Sequence, residues 1–250
     1  MAALGWCADT DAVAHLLVSD LDDELAVAGA DGHHLQRVRR LHPGEVVTAA
    51  DPAARWRRYR VVDARDGWLT LTGAGAPTLE PTLRPRLRVA FALTKGQRPD
   101  VVVRQCSELG VDAVVPVVAA RSVARWDPHT DIRPLERLRR VARESALQCR
   151  RARLLAVDAP VPLNRLAGQP GLVVADRHGI PAGVLAEPTD GAWLLVVGPE
   201  GGLDPAELAT LGDPPHLAVG PHILRAETAA VAGAAALTSQ RHLSPNDHPG

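Results

Sequence analysis

Val196-Val197-Gly198-Pro199-Glu200-Gly201-Gly202-Leu203-Asp204-Pro205-Ala206-Glu207-Leu208 decides how this chain is read. The apolar run from Trp193 to Val197 that leads into it has the length and composition of a buried strand. The residues after it open a helix, with Asp204 at the N-cap, Pro205 at the first helical position and Glu207 three residues past the cap. Between strand and helix lie three glycines in five residues. Glycine permits positive φ and lets a ligand approach the main chain, and a helix N-terminus supplies unpaired N–H groups. The combination makes a cradle for a small ligand; a tight connection without a ligand is the other reading. A Walker loop is excluded because no Gly-Lys-Ser/Thr follows, and the spacing of Gly198, Gly201 and Gly202 does not fit the dinucleotide fingerprint.

Leu217-Ala218-Val219-Gly220-Pro221-His222-Ile223-Leu224-Arg225-Ala226-Glu227-Thr228-Ala229 repeats the pattern of apolar strand, Gly-Pro turn and alanine-rich helix. Two such turns after successive strands can face one pocket at the C-terminal edge of a sheet.

This pair of motifs, in this order, resembles the RsmE family of the SPOUT superfamily. The resemblance extends through His33–Glu45, Lys95-Gly96, Glu108-Leu109-Gly110-Val111, Arg121-Ser122, and Glu144 with Gln148 and Arg151. It implies S-adenosyl-L-methionine-dependent methylation of N3 of one uridine in 16S ribosomal RNA, acting on free rRNA or the 30S subunit. It also implies a homodimer and an α/β SPOUT domain with a trefoil knot, preceded by a small PUA-like β-barrel that binds RNA. The cofactor residues implied are Gly198, Pro199, Glu200, Gly201, Gly202, Leu217, Gly220, Ile223 and Leu224. Gln105, Leu147, Leu155 and His222 depart from the usual lysine, glutamate, proline and arginine, and bear on the RNA contacts rather than on the cofactor turns. The same chemistry on another RNA, and an RNA-binding protein with a vestigial cofactor fold, stand as alternatives.

The chain of 250 residues suits two modest domains, and its 46% apolar content can fill a core. No run of eighteen apolar residues suggests a membrane span. Cys7, Cys106 and Cys149 are scattered and odd in number, which argues against disulfides and a zinc site and for a reducing cytoplasm. His33 and His34 are adjacent, so their side chains diverge on a helix and make no metal site. The net charge of −1 conceals segregation: residues 121–153 carry ten arginines against four acids, and residues 1–32 seven acids and no Lys or Arg. Such clustering suggests a polyanion partner, with a merely solvated helix face as the alternative. The RNA-contact candidates are Arg37, Arg55, Arg57, Lys95, Arg121, Arg137, Arg140, Arg143, Arg150 and Arg151. Trp56 and Tyr59, alternating with Arg55 and Arg57, offer a stacking platform on one strand or else an ordinary barrel strand.

The expected layout is a β-barrel over residues 1–76, a Pro-rich linker at 77–85 marked by Pro77, Pro81 and Pro85, a methyltransferase domain over 86–243 and a disordered tail at 244–250. In the first domain Asp31 caps a short helix, and Asp66-Gly67 turns a hairpin between Arg55–Val62 and Trp68–Thr72. In the second, strands at 87–93, 111–118, 172–175, 193–197 and 216–219 alternate with helices, as in a mainly parallel α/β sheet. Arg225 is the catalytic candidate. Deprotonation of uridine N3 spreads negative charge over O2 and O4, and a planar guanidinium held at a dry pocket wall beside Ile223 and Leu224 stabilises it. An ion pair with Glu227 is the plainer role for Arg225, and no general base is assigned.

Overall fold

The computed structural model describes residues 11–29, 32, 33, 35, 40–94, 96, 98–124, 126 and 132–243. Asp31, His34, Arg37, Val38 and Lys95, and the tail at 244–250, lie outside the described residues. The chain forms two compact units, residues 1–81 with 146–154 and residues 82–145 with 155–250.

The first unit is a five-stranded sheet of β1 (Ala14–Leu17), β2 (Glu24–Val27), β3 (Val46–Ala50), β4 (Arg55–Arg65) and β5 (Trp68–Leu79), in the order β1-β3-β4-β5-β2. Only β1 and β3 pair in parallel. Asp66 and Gly67 have φ of 53° and 79°, so the β4–β5 hairpin turns on two left-handed residues, the conformation that matches the twist of paired strands. Val47, Tyr59, Val61, Leu69 and Leu71 alternate inward and are almost fully buried with Leu16 and Leu35. His15 is buried too, its Nδ1 2.9 Å from Thr48 Oγ1. Its pKa is lowered to about 4, chiefly by burial and in smaller part by the nearby Arg150 charge, against a main-chain hydrogen bond at Arg151 that raises it.

The stretch expected as a linker carries regular structure. β5 runs through Pro77 to Leu79, and β6 occupies Leu83–Arg84. The proline is tolerated because the β4–β5 register shifts between Trp56 and Arg58, opposite that part of β5. Glu80 is buried and accepts from the main-chain N–H groups of Ala152 at 3.2 Å and Arg153 at 2.6 Å, which ties residues 146–154 to the first unit.

The second unit adds β7 (Arg86–Ala92), β8 (Ala113–Val118), β9 (Ala156–Val157), β10 (Val161–Pro162), β11 (Leu172–Ile180), β12 (Ala192–Val197) and β13 (His216–Leu217). All pair in parallel, in the order β10-β8-β7-β12-β11-β13 with β9 beside β8. The helices are α1 (Arg98–Glu108), α2 (Ile132–Cys149), α3 (Pro205–Leu211) and α4 (Ala226–Thr238). Both faces of this sheet are covered, so the central strands β8 and β12 read as continuous apolar runs. Leu87, Val89, Phe91, Trp193, Leu195 and Val197 meet α1, α2 and α4 on one face. Ala90, Ala92, Leu194 and Val196 point to the other, toward Leu163, Leu166 and Leu211. α4 lies close to β12: a Cβ at Gly233 would come within 2.7 Å of Leu195 Cδ2.

A buried ion pair closes this unit. Arg241 Nη2 donates to Asp112 Oδ2 at 2.6 Å, with the two side chains 1% and 4% exposed. The same guanidinium donates to the carbonyls of Pro85 at 2.7 Å and Gly110 at 2.8 Å, and Asp112 Oδ2 also accepts from Leu87 N. Beyond it β14 (His242–Leu243) pairs with β6. Among the described residues no helix is long and apolar enough to cross a membrane, and no group of three His, Cys, Asp or Glu side chains converges.

Candidate active site

The parallel strands β11, β12 and β13 end on one edge of the sheet, and the two glycine turns follow β12 and β13 there. They enclose a cavity of about 460 Å³ whose floor includes Val174, Val197 and Val219. That volume lies within the range of about 300–1,000 Å³ typical of small-molecule sites.

The first turn is held from several sides. Gly202 N donates to Pro199 O at 2.8 Å, and Gly202 has φ of 71°, a left-handed conformation that favours glycine. Asp204 and Glu207 form the capping box of α3: Asp204 Oδ1 accepts from Ala206 N at 3.0 Å, and Glu207 Oε2 from Asp204 N at 2.8 Å. The other carboxylate oxygen of Glu207 accepts from Ala120 N at 2.7 Å. Arg121 donates to Gly201 O at 2.7 Å and pairs with Asp204 at 3.3 Å.

One cation links the two turns. Arg98, at the start of α1, lies 2.6 Å from Glu200 on the first turn and 3.7 Å from Glu227 in the first turn of α4. Glu227 is largely buried, and its Oε2 has no hydrogen-bond partner among the described residues.

Gly201 and Gly220 face open space. A Cβ at Gly220 meets nothing within 4 Å, and one at Gly201 meets only Arg121 carbons, Cδ at 3.4 Å. Neither glycine adopts positive φ, so their lack of a side chain serves the cavity and not the backbone. Only Gly198 is crowded by the protein itself, with Leu203 side-chain carbons 3.0 Å from a Cβ. An adenosyl-methionine-sized molecule fits such a cradle: apolar strand ends below, main chain exposed at the glycines, and polar atoms at the rim.

The model of an RNA methyltransferase domain matches residues 82–238, and that of an RNA methyltransferase PUA domain matches residues 27–70. The ribosomal RNA small subunit methyltransferase E of Mycobacterium tuberculosis (strain CDC 1551 / Oshkosh) is 37% identical over 247 residues, 92% of this chain and 94% of that protein. The chain belongs to this methyltransferase family. The protein of the same name from Bacillus subtilis (strain 168) is 26% identical, over 89% of this chain and 92% of its own length. Among solved structures, the Neisseria gonorrhoeae ribosomal RNA small subunit methyltransferase E bound to S-adenosyl methionine matches with a TM-score of 0.77 and 22% identity, over 91% of this chain and 97% of that one. At that identity the likeness concerns the fold, which is the expected α/β domain preceded in the chain by a PUA-like sheet.

Of the cofactor residues expected from sequence, Gly198, Pro199, Glu200, Gly201, Gly202, Gly220, Ile223 and Leu224 line the cavity. Leu217 does not; it is fully buried within β13, facing the core. Arg225 is not at a dry wall. It is exposed at the N-cap of α4, is not among the cavity's lining residues, and follows an Ile223 that is itself 79% exposed. Asp176 and Arg177 line the cavity unforeseen. They directly follow the apolar run at 172–175, and the rule that ligands gather at the carboxyl ends of parallel strands was the signal for them.

The arginines divide differently from the expectation. Arg57 is folded into the first unit, its side chain 11% exposed, 2.7 Å from Asp23 and donating to the carbonyls of Gly75 and Leu21. Tyr59 is fully buried and donates to Asp22 O, so no stacking platform forms with it. Arg55 donates to Asp51 at 2.7 Å. Arg151 is buried, and Arg150 occupies a left-handed position after α2. Arg137 donates to Asp100, and Arg121 braces the first turn. Arg140 and Arg143 are exposed on α2, the former 3.9 Å from Glu144.

Proposed function

We propose that this protein is an S-adenosyl-L-methionine-dependent methyltransferase acting on N3 of a uridine in 16S ribosomal RNA. The observation that carries the reading is the cavity at the sheet edge, lined by both glycine turns and open where Gly201 and Gly220 lack side chains. The bound cofactor supplies an electrophilic methyl group on its sulfonium. The chain's own residues bind and orient. Gly198–Gly202 and Gly220–Leu224 offer main-chain groups to the cofactor, while Val174, Val197 and Val219 exclude water beneath it. Arg225, exposed at the N-cap of α4 and outside the cavity's lining, takes the role of electrostatic partner to the uridine oxygens as N3 loses its proton once bound RNA covers it. N3 lies on the Watson–Crick edge, so the target base is unpaired or flipped out when it reacts.

The exposed Arg140 and Arg143 on α2 are the phosphate contacts this reading favours. A substrate in the small subunit implies work in the cytoplasm. The homodimer reading draws support from α4. One face of that helix is buried in the chain through Ala230, Ala234 and Leu237. The other leaves a groove of about 400 Å³ against α1, where Val101, Leu109, Val231, Ala232 and Ala235 lie beside the polar Gln105, Glu108, Glu227 and Thr228. Light scattering at assay concentration tests the dimer, and a fully active monomer refutes it. The function is tested by mapping modified nucleosides in small-subunit rRNA from cells lacking the protein. Loss of one N3-methyluridine, restored by the purified enzyme with S-adenosylmethionine, is expected; an unchanged map overturns the assignment.

A further inference from the structure

A second cavity, of about 320 Å³, opens beside the start of α1, and its lining includes Pro99, Asp100, Trp126, Arg133, Arg137 and Leu138. We propose that it is a nucleotide subsite, taking the base and phosphate of an RNA residue that flanks the methylation target. The proposal rests on the RNA methyltransferase reading above.

The lining is divided between π surface and positive charge. Trp126 is half-buried and packs against the core of the second unit. Arg137 is fixed, because its guanidinium donates to the Asp100 carboxylate, whose side chain is 13% exposed. A guanidinium held by a carboxylate presents a flat face, and both indole and guanidinium planes are surfaces on which unstacked RNA bases rest. Arg133 lies one turn earlier on the same face of α2 and is exposed. Its charge is not consumed by the Asp100 pair, and it stands where a phosphate would need it. Pro99 and Leu138 supply the apolar remainder. A base requires flat apolar walls and a phosphate requires a guanidinium; this cavity has both.

Its position favours the same ligand. Arg98 reaches Glu200 of the cofactor cavity at 2.6 Å, and the next residue, Pro99, lines the second cavity. The two cavities are therefore linked through consecutive residues at the start of α1. A target base leaving its helix strips its neighbours of stacking. A second stacking site next to the reaction site restores part of that loss and fixes the register of the strand.

The test uses the full-length enzyme, small-subunit rRNA and S-adenosylmethionine. Trp126→Leu is expected to raise KM for the RNA roughly tenfold, within the range for loss of one base–aromatic stack, with cofactor affinity by calorimetry unchanged. Trp126→Phe is expected to keep most of the parent's RNA affinity. Arg133→Ala lies on an exposed helix face and cannot fail through the core; it is expected to raise KM for the RNA and flatten its salt dependence. Irradiation of rRNA carrying 4-thiouridine next to the target is expected to cross-link to the peptide containing Trp126. A normal parent enzyme with unaltered RNA KM in Trp126→Leu and Arg133→Ala, or cross-links only elsewhere, overturns the subsite alone. A parent that binds no S-adenosylmethionine overturns the methyltransferase reading itself.

Discussion

Valine at Gly201 or Gly220 tests whether the cavity at the sheet edge is the cofactor site. A Cβ at Gly220 has nothing within 4 Å, one at Gly201 has Arg121 Cδ at 3.4 Å, and neither residue adopts positive φ. The free protein therefore has room for the added Cβ, and a stability change within about 0.5 kcal/mol is expected. The three added carbons project into the cavity of about 460 Å³. Forcing them into an otherwise close-packed complex costs about 1–3 kcal/mol, which is roughly 5- to 150-fold in Kd. Gly202→Ala is the control with the opposite signature. Its Cβ also has open space, but φ of 71° places the alanine in the left-handed region, at about 1–2 kcal/mol. Calorimetry with S-adenosylmethionine and thermal melts separate the two. Gly201→Val and Gly220→Val are expected to melt with the parent and bind weakly, and Gly202→Ala to melt several degrees lower. Parental cofactor affinity in both valine variants would refute the site. A loss of several degrees in both would refute the inference that these glycines serve the ligand rather than the backbone.

Arg225→Ala is expected to slow single-turnover methyl transfer by about a hundredfold or more with cofactor binding intact and partial recovery at higher pH; a parental rate makes Arg225 structural. Arg241→Met leaves Asp112 buried and without its main partner, so a loss of about 3–5 kcal/mol is expected in chemical denaturation. His15 is neutral when folded near neutral pH, its pKa lowered to about 4 from the ordinary 6.5. The unfolded chain binds that proton first as pH falls, so its stabilisation is full above pH 6.5 and is lost between 6.5 and 4, by about 3 kcal/mol in all. His15→Gln is expected to flatten that part of the stability profile, and an unchanged profile refutes the shift. Joint replacement of Arg140 and Arg143 by alanine is expected to weaken rRNA binding and reduce its salt slope. Arg57→Ala is expected to lower the melting temperature first, because its guanidinium is held by Asp23 and two carbonyls.

The sequence by itself determined the local grammar of the site. The Asp204 cap, Pro205 and Glu207 placed the start of α3, Asp66-Gly67 placed a hairpin, and the apolar runs placed the central strands. Each of these depends on a few neighbouring residues, through a cap, a permitted φ or a strand length, and so can be read from a short window. The two glycine turns were legible for the same reason, and both line one cavity. The fate of the arginines was not legible. Arg57 accepts its placement from Leu21, 36 residues away, Arg137 from Asp100, 37 away, and Arg241 from Asp112, 129 away. A charge is visible in sequence, but whether it is neutralised and buried depends on which distant carboxylate or carbonyl the fold brings beside it. Tertiary structure likewise brought Asp176 and Arg177 to the cavity, set Arg225 outside its lining, and joined residues 146–154 to the first unit through Glu80. Spacing along the chain governs what one turn or cap can do; which side chains share a space is fixed only when the strands find their order in the sheet.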